Sequence, residues 1–429
     1  MISIYFCIPI IILVIAFIIK MPISLGMILG TLAYFYAKGQ NVGSTVHILV
    51  NAMLNSYVLL SIPLFIFTAE VMNNSTVTQK MYSFVNSIFG RFRGGTAHVN
   101  VVGSLIFAGM TGSSVADASG LGKIEYDQMT KEGYDRGFSC ALSATSAILG
   151  PTFPPSIILV IYSTLSGTSV ANLFLAGMVP AILLTLAFCL YIALTAKKNN
   201  YPYGMHLKGK EFIRSTIAAI PALLTPVILL GGIYSGIVTP TEAAALGALW
   251  ALIVSLVIYR SLSFKSLWEI LKNTAKSTGN VGLIVMAAFG FSHIVAAEHV
   301  SEIIGGFIIA STDNRWIFLF IISIALIILG CFFDTNTIQL VFLPTVIPTA
   351  QLLGVDMVHF GIITSLNMII GQCTPPFGVL LFIMSGLTKT PLKDIIIKAI
   401  PLVGVALIVL FVLVFVPDIV MFLPNHFGR

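Results

Sequence analysis

Two short stretches combine glycine, hydroxyl side chains and a proline pair at one spacing: Gly150-Pro151-Thr152-Phe153-Pro154-Pro155 and Gly371-Gln372-Cys373-Thr374-Pro375-Pro376. Proline removes an amide donor and interrupts helical bonding, and glycine adopts dihedrals closed to other residues. Each stretch therefore frees backbone carbonyls inside an apolar segment. Freed carbonyls, joined by the hydroxyls of Thr152 and Thr374, suit a small hard cation such as sodium. Freed amides at half-helix N-termini suit a carboxylate. The alternative for each stretch is a proline kink packed by its neighbours.

Two polar clusters interrupt other apolar regions. One is Gly112-Ser113-Ser114 with Asp117, and the other is Asp334-Thr335-Asn336-Thr337. A carboxylate at membrane depth costs about 2.5–3.5 kcal/mol on insertion scales, so it normally has a partner. Asp334 can complete a cation site or bind a proton. Asp117 has the same option, or it caps the second half of a helical hairpin with help from Ser113 or Ser114. Ser114, Thr152, Thr335 and Asn336 are the hydroxyl and amide groups placed to contact a substrate. Glu242 follows Pro240-Thr241 and precedes an apolar run, which reads as helix-start chemistry. Glu70 lies close to the inner end of its segment and stays ambiguous.

The elements that position these groups are membrane spans. Apolar residues make up 57% of the 429 positions and charged residues only 9%, with a mean hydropathy of +1.01. That is too few charges to cover a large soluble core, for which about 25% is usual. Segments long enough to cross a bilayer lie near 2–19, 21–37, 138–163, 173–195, 215–233, 241–259, 359–386 and 398–420, with shorter crossings at 58–72 and 280–296. The first segment lacks a basic n-region and a cleavage site, so it reads as a retained span rather than a signal peptide. Regions 95–122 and 316–354 read as re-entrant helical hairpins with unwound tips, because the polar clusters break each one.

The broken features repeat. An offset of 221 pairs Gly150 with Gly371 and Pro155 with Pro376, and also Gly109 with Gly330 and Ser113 with Asp334. It aligns 41–57 with 262–278, two amphipathic segments. The expected organisation is a first helix at 1–20, repeat one at 21–196, a cytoplasmic loop and linking helix at 197–241, repeat two at 242–417 and a tail at 418–429. Charges indicate inversion: Lys265, Lys272 and Lys276 have no basic counterpart in 41–57, and Lys389, Lys393 and Lys398 have none in 167–177. Ten spans and two hairpins starting outside put 19 of the 22 Lys and Arg inside, leaving Lys38, Arg315 and Arg429 outside. Both termini are then periplasmic. Inverted repeats with paired broken segments mark secondary transporters, whose sites lie near the midplane.

Other chemistry is disfavoured. The five cysteines are scattered without a CxxC, so no disulfide or metal framework is expected. His47, His98, His293, His299 and His359 share no ligand spacing. Trp250, Trp268 and Trp316 fit interfacial anchors. Gly120-Leu121-Gly122-Lys123 resembles a P-loop end, but Ile124 follows the lysine. No nucleophile–base pair supports an enzyme. The net charge of +6 resides in loops between spans, a topology signal rather than a nucleic-acid surface.

The stretches from Gly95 to Val101 and from Phe107 to Asp117, together with Gly231 to Ala245, resemble signatures of the large membrane (permease, DctM-like) subunit of TRAP transporters. The resemblance covers essentially the whole chain, and the first hairpin is most similar to sialic-acid members. It implies an all-α polytopic fold of two inverted-topology repeats, and a sodium-coupled importer in a bacterial inner membrane that works by an elevator motion. It also implies a separate small four-helix membrane subunit, a periplasmic substrate-binding protein and an organic acid substrate, with sialic acid (N-acetylneuraminate) favoured. By motif, the first sodium falls on Thr111, Ser113, Gly150, Phe153 and Pro155. Internal symmetry extends this to a second site at Phe332, Asp334, Gly371, Thr374 and Pro376. The alternatives are a stand-alone ion-coupled carboxylate carrier and a C4-dicarboxylate TRAP permease.

Overall fold

The computed structural model describes residues 4–19, 21–54, 56–204, 209–300, 302, 306 and 314–428. Residues 1–3 and 20 of the expected first span, 205–208 of the expected loop and Arg429 of the tail lie outside the described residues. Within them the regular structure is helical, apart from one isolated bridge between Arg93 and Tyr203. Lipid enforces this, since a backbone in hydrocarbon must satisfy its own hydrogen bonds.

The chain opens with α1 (Cys7–Ile18), α2 (Ile23–Ala37), α3 (Val42–Leu54), α4 (Ser61–Asn73) and α5 (Val77–Phe89). Next come α6 (Gly95–Thr111), α7 (Ser114–Ser119), α8 (Leu121–Lys131), α9 (Arg136–Ser146), α10 (Leu149–Thr152), α11 (Ile157–Ser166) and α12 (Val170–Ala196). Then come α13 (Gly209–Ser235) and α14 (Pro240–Ile253), the latter continued by a π-helical turn at Val254–Ile258. The rest is α15 (Phe264–Ala297), α16 (Arg315–Phe332), α17 (Thr335–Leu352), α18 (Met357–Gly371), α19 (Val379–Thr388), α20 (Leu392–Phe415) and α21 (Pro417–Phe427).

This is a multi-pass membrane protein. Among the described residues, α12, α13, α14 with its π-turn, α15, α16 and α20 are each long and apolar enough to cross a bilayer. The pair Tyr57–Asn73 and Val77–Phe89 bends by 70°, and the pair Arg136–Thr152 and Ile157–Ser166 by 43°. The other expected spans consist of shorter apolar helices, α1, α2, α18 and α19. On α1, Ile11, Val14, Ile15, Phe17 and Ile18 are exposed, as suits a helix facing lipid.

The first hairpin is antiparallel. Going down α6 and up the returning arm, Gly103 lies against Glu125, Asn100 against Met129, and Thr96 bonds Glu132. α9 runs in the same sense as α6, with Asn100 bonded to Ser143 and Ser104 to Ser146. α16 and α18 pair likewise, through Ser323 with Asn367 and Gly330 with Gly371.

Three expectations are corrected. The returning arm does not stop near residue 122 but runs to Lys131, because Gly120 only jogs the helix and Glu125 turns inward to α6. The amphipathic segment at 262–278 and the short span at 280–296 form one helix, α15, since a lone glycine such as Gly279 costs only about 1 kcal/mol. The span expected from 215 begins earlier, as α13 starts at Gly209.

Candidate functional site

At the first tip α6 ends on Thr111 and Gly112 turns left-handed at φ 61°. Ser113 is extended and caps α7, its Oγ accepting from the Ala116 amide at 3.3 Å. Asp117, offered as the cap, sits within α7, so Ser113 holds that role alone. This tip seats on the first broken segment at van der Waals limits. A Cβ on Gly112 would fall 2.3 Å from the Pro155 carbonyl oxygen, and one on Gly150 would fall 3.0 Å from that of Ser113. Only glycine permits the first approach, and at the second any side chain would push Ser113 back by a few tenths of an ångström. Thr111, Ser113, Gly150 and Pro155 are thereby gathered, while the Phe153 ring packs at Gly109. The Thr111 hydroxyl donates to Phe107 O at 3.4 Å, and that of Thr152 to Ile148 O at 2.7 Å. Both hydroxyls spend their hydrogen on their own helix, which leaves lone pairs, the acceptor chemistry a cation needs.

The second tip uses different atoms for the same job. Asp334 caps α17, its Oδ2 accepting from the Asn336 amide at 3.0 Å. Its backbone partner is the junction of α16 and α18, where a Cβ on Gly371 would lie 2.6 Å from Gly330 Cα. Beyond Gly371 the chain is tied back by the Gly378 amide to Cys331 O at 3.2 Å and the Leu380 amide to Gln372 O at 3.1 Å. Thr374 Oγ1 donates to Ile370 O at 2.8 Å. The Phe332 ring is exposed and 6.0 Å from that of Phe377, leaving its backbone as the available donor to an ion. In both broken segments the proline pair, Pro154-Pro155 and Pro375-Pro376, is joined by a cis peptide bond.

The two tips share a cavity of about 270 Å3. Thr111, Ser113 and Ser114 line it from the first tip, and Asp334, Thr335 and Asn336 from the second. Glu70 on α4 and Ser277 on α15 close it. Thr152 does not line it. It lies behind Pro151, with its carbonyl against Gly177. A larger cavity of about 400 Å3, bounded by Phe17, Phe333 and Phe342 among others, is almost wholly apolar and offers nothing to orient a carboxylate. Another, of about 450 Å3, gathers Arg315, Asp356, His359 and Asp418 at helix ends away from both tips. Among the described residues no group of three or more His, Cys, Asp and Glu could hold a metal.

Two side chains join the tips to the opposite half. Ser114 Oγ donates to Gln372 Oε1 at 3.2 Å, and Gln339 Nε2 donates to Ile158 O at 2.8 Å. Sequence reasoning missed both. The available signal was Gln372 itself, which occupies the place of Pro151 in the second broken segment. The expected helix start at Glu242 is a full capping box: its Oε2 accepts from the Thr239 amide at 2.7 Å and its own amide donates to Thr239 Oγ1 at 3.3 Å. His359 is a packed histidine, its Nε2 at 2.9 Å from Leu413 O.

Residues 7–419 match the family model described as "Tripartite ATP-independent periplasmic transporter, DctM component". The chain is 36% identical over 410 residues to the sialic acid TRAP transporter large permease protein SiaM of Vibrio cholerae, covering 95% of each. It is 35% identical over 372 residues to the C4-dicarboxylate TRAP transporter large permease protein DctM of Pseudomonas aeruginosa, covering 87% of each. Among solved structures, the Alcanivorax borkumensis YdaH transporter, described as having an unusual topology, superimposes with a TM-score of 0.61. It does so at 14% identity and over 86% of each chain, a likeness of fold.

Proposed function

From membership of the DctM family of tripartite ATP-independent periplasmic (TRAP) transporters, to which this chain belongs, we propose that it imports an organic acid, sialic acid, in symport with sodium. It is the large permease of such a transporter, in a family whose permeases work with a small membrane subunit and a periplasmic binding protein. The observation that carries the proposal is the shared cavity, where two helix-start tips and the Asp334 carboxylate meet beside Pro151 of the first broken segment. Amides at the starts of α7 and α17 suit the substrate carboxylate. Thr111, Ser113, Gly150, Phe153 and Pro155 hold one sodium, and Phe332, Asp334, Gly371, Thr374 and Pro376 a second. Ser114, Thr335 and Asn336 face the substrate.

The chain lies in a bacterial inner membrane with both termini periplasmic, and its halves are inverted copies that carry the tips past a fixed scaffold. The repeat is supported by element bounds that recur at the 221-residue offset. α6 ends at Thr111 and α16 at Phe332; α7 starts at Ser114 and α17 at Thr335; α9 starts at Arg136 and α18 at Met357. The charge asymmetry supports inversion.

A second reading, a C4-dicarboxylate substrate, is favoured by the nearly equal identity to the Pseudomonas aeruginosa permease. Proteoliposomes holding the chain with its small subunit, supplied with the cognate binding protein, separate the two. Labelled N-acetylneuraminate should accumulate and be displaced by unlabelled N-acetylneuraminate but not by succinate. Uptake of succinate alone would overturn the substrate, and uptake of either without binding protein would favour a stand-alone carrier.

A further inference from the structure

The first hairpin holds two carboxyls that the ion and substrate sites do not use. Asp117 on α7 is 1% exposed and Glu125 on α8 is 0% exposed. Among the described residues, none of their carboxyl oxygens has a hydrogen-bond partner. Asp117, Leu121 and Glu125 are spaced to share one face of the returning arm. That face turns to α6, where a Cβ on Gly103 would lie 2.8 Å from Glu125 Oε1. Both carboxyls thus meet adjacent residues of α6, Glu125 at Gly103 and Asp117 at Ser104.

The polar side chains of α6 and α9 beside the pair are bonded to one another. Ser104, the hydroxyl beside Asp117, donates to Ser146 Oγ at 3.2 Å. Ser146 Oγ donates to Asn100 Oδ1 at 2.8 Å, and Asn100 Nδ2 donates to Ser143 Oγ at 2.7 Å. The elements packed on the arm supply no cation. On α5, Lys80 is exposed, and Tyr82 faces Glu125 and Glu132. His98 projects from the opposite side of α6 to Gly103 and Ser104. On α9, Arg136 is exposed and Cys140 meets Thr388. α10 and α19 carry no charged residue. On the arm itself Lys123 is held by Asp127 at 2.6 Å, and Glu132, just past its end, accepts from Gln128 at 3.0 Å.

An unpaired buried carboxylate is costly, and two neighbouring ones repel as well. A proton on either carboxyl removes the cost of burying that charge and the repulsion between the two. We propose that Asp117 and Glu125 form a proton-binding site inside the first hairpin, whose occupancy makes transport depend on pH. Only the effect on transport rests on the permease reading.

The test is infrared spectroscopy of the lipid-reconstituted full chain with its small subunit, using carboxyl-13C aspartate and glutamate. At pH 7 free carboxyls, with pKa about 4, are ionised. The expected result is a protonated-carboxyl C=O band at pH 7 that shifts in D2O, weakens in Asp117→Asn and in Glu125→Gln, and is lost in the double variant. Both amides mimic the neutral acid and preserve packing. No such band in the wild type, or its persistence in the double variant, would overturn the site. Loss of the band on adding sodium at constant pH would also overturn it, by making the pair a sodium site. In uptake assays from pH 6 to pH 8 the wild type should change rate and Glu125→Gln should flatten the profile; an unchanged profile would overturn the coupling. A persistent band in a chain that transports nothing would count against the permease reading, not against the proton site.

Discussion

Ser114 Oγ donates a hydrogen bond to Gln372 Oε1 at 3.2 Å, joining the first tip to the second broken segment across 258 residues of sequence. Both side chains are buried, and Gln372 is the more enclosed of the two, since Ser114 also lines the shared cavity. Stranding a buried partner costs about 1–3 kcal/mol, and 1.4 kcal/mol is about tenfold in an equilibrium. Gln372→Ala should therefore raise the sodium concentration for half-maximal uptake by about tenfold. Sodium titration of uptake checks this; an unchanged midpoint would mean that the bond does not link the two sites.

Gly112 and Gly150 hold the tip against the broken segment. Gly112→Ala combines a left-handed dihedral, which costs an alanine about 1–2 kcal/mol, with a Cβ 2.3 Å from Pro155 O. Gly150→Ala meets Ser113 O at 3.0 Å, a milder conflict. Uptake should fall more for Gly112→Ala than for Gly150→Ala, with membrane insertion normal for both. Equal rates in the two variants would contradict the seating described here.

Asp334 has two roles that one substitution separates. Asparagine caps a helix about as well as aspartate, whereas alanine costs about 1 kcal/mol. Asp334→Asn should keep the melting temperature of the purified protein while weakening sodium-dependent uptake. Asp334→Ala should lower both. If Asp334→Asn takes up substrate at the wild-type rate with the wild-type sodium dependence, Asp334 is a cap and nothing more.

Glu242 closes the capping box of α14. Glutamine can fill its place in a capping box. Glu242→Gln should match the wild type in thermal unfolding and uptake, and Thr239→Ala should lose about 1 kcal/mol of stability. Loss of uptake in Glu242→Gln without loss of stability would assign it a transport role.

The helical, multi-pass class was legible because apolar runs of about 20 residues satisfy the backbone in lipid as helices, and the tips because polar runs such as Asp334-Thr335-Asn336 interrupt an apolar segment. Gly112 and Gly150 were legible as flexible points. That each admits a carbonyl of the other's segment was not, because close approach is a property of two segments together. Ser114 and Gln372 illustrate the same limit: a hydrogen bond across 258 residues leaves no periodicity to read. Glu125 is not legible as part of the hairpin because Gly120 and Gly122 read as its end. A glutamate two turns after Asp117 looks solvated until the arm is known to fold back on Gly103.

The central claim is that the oxygen-lined cavity between the tips couples substrate to sodium. The most direct measurement is substrate uptake by proteoliposomes containing the chain, its small subunit and binding protein, under an imposed inward sodium gradient. Accumulation should require sodium, rise more steeply than the first power of its concentration and collapse when the gradient is dissipated. Equal accumulation with potassium or choline replacing sodium would contradict the account.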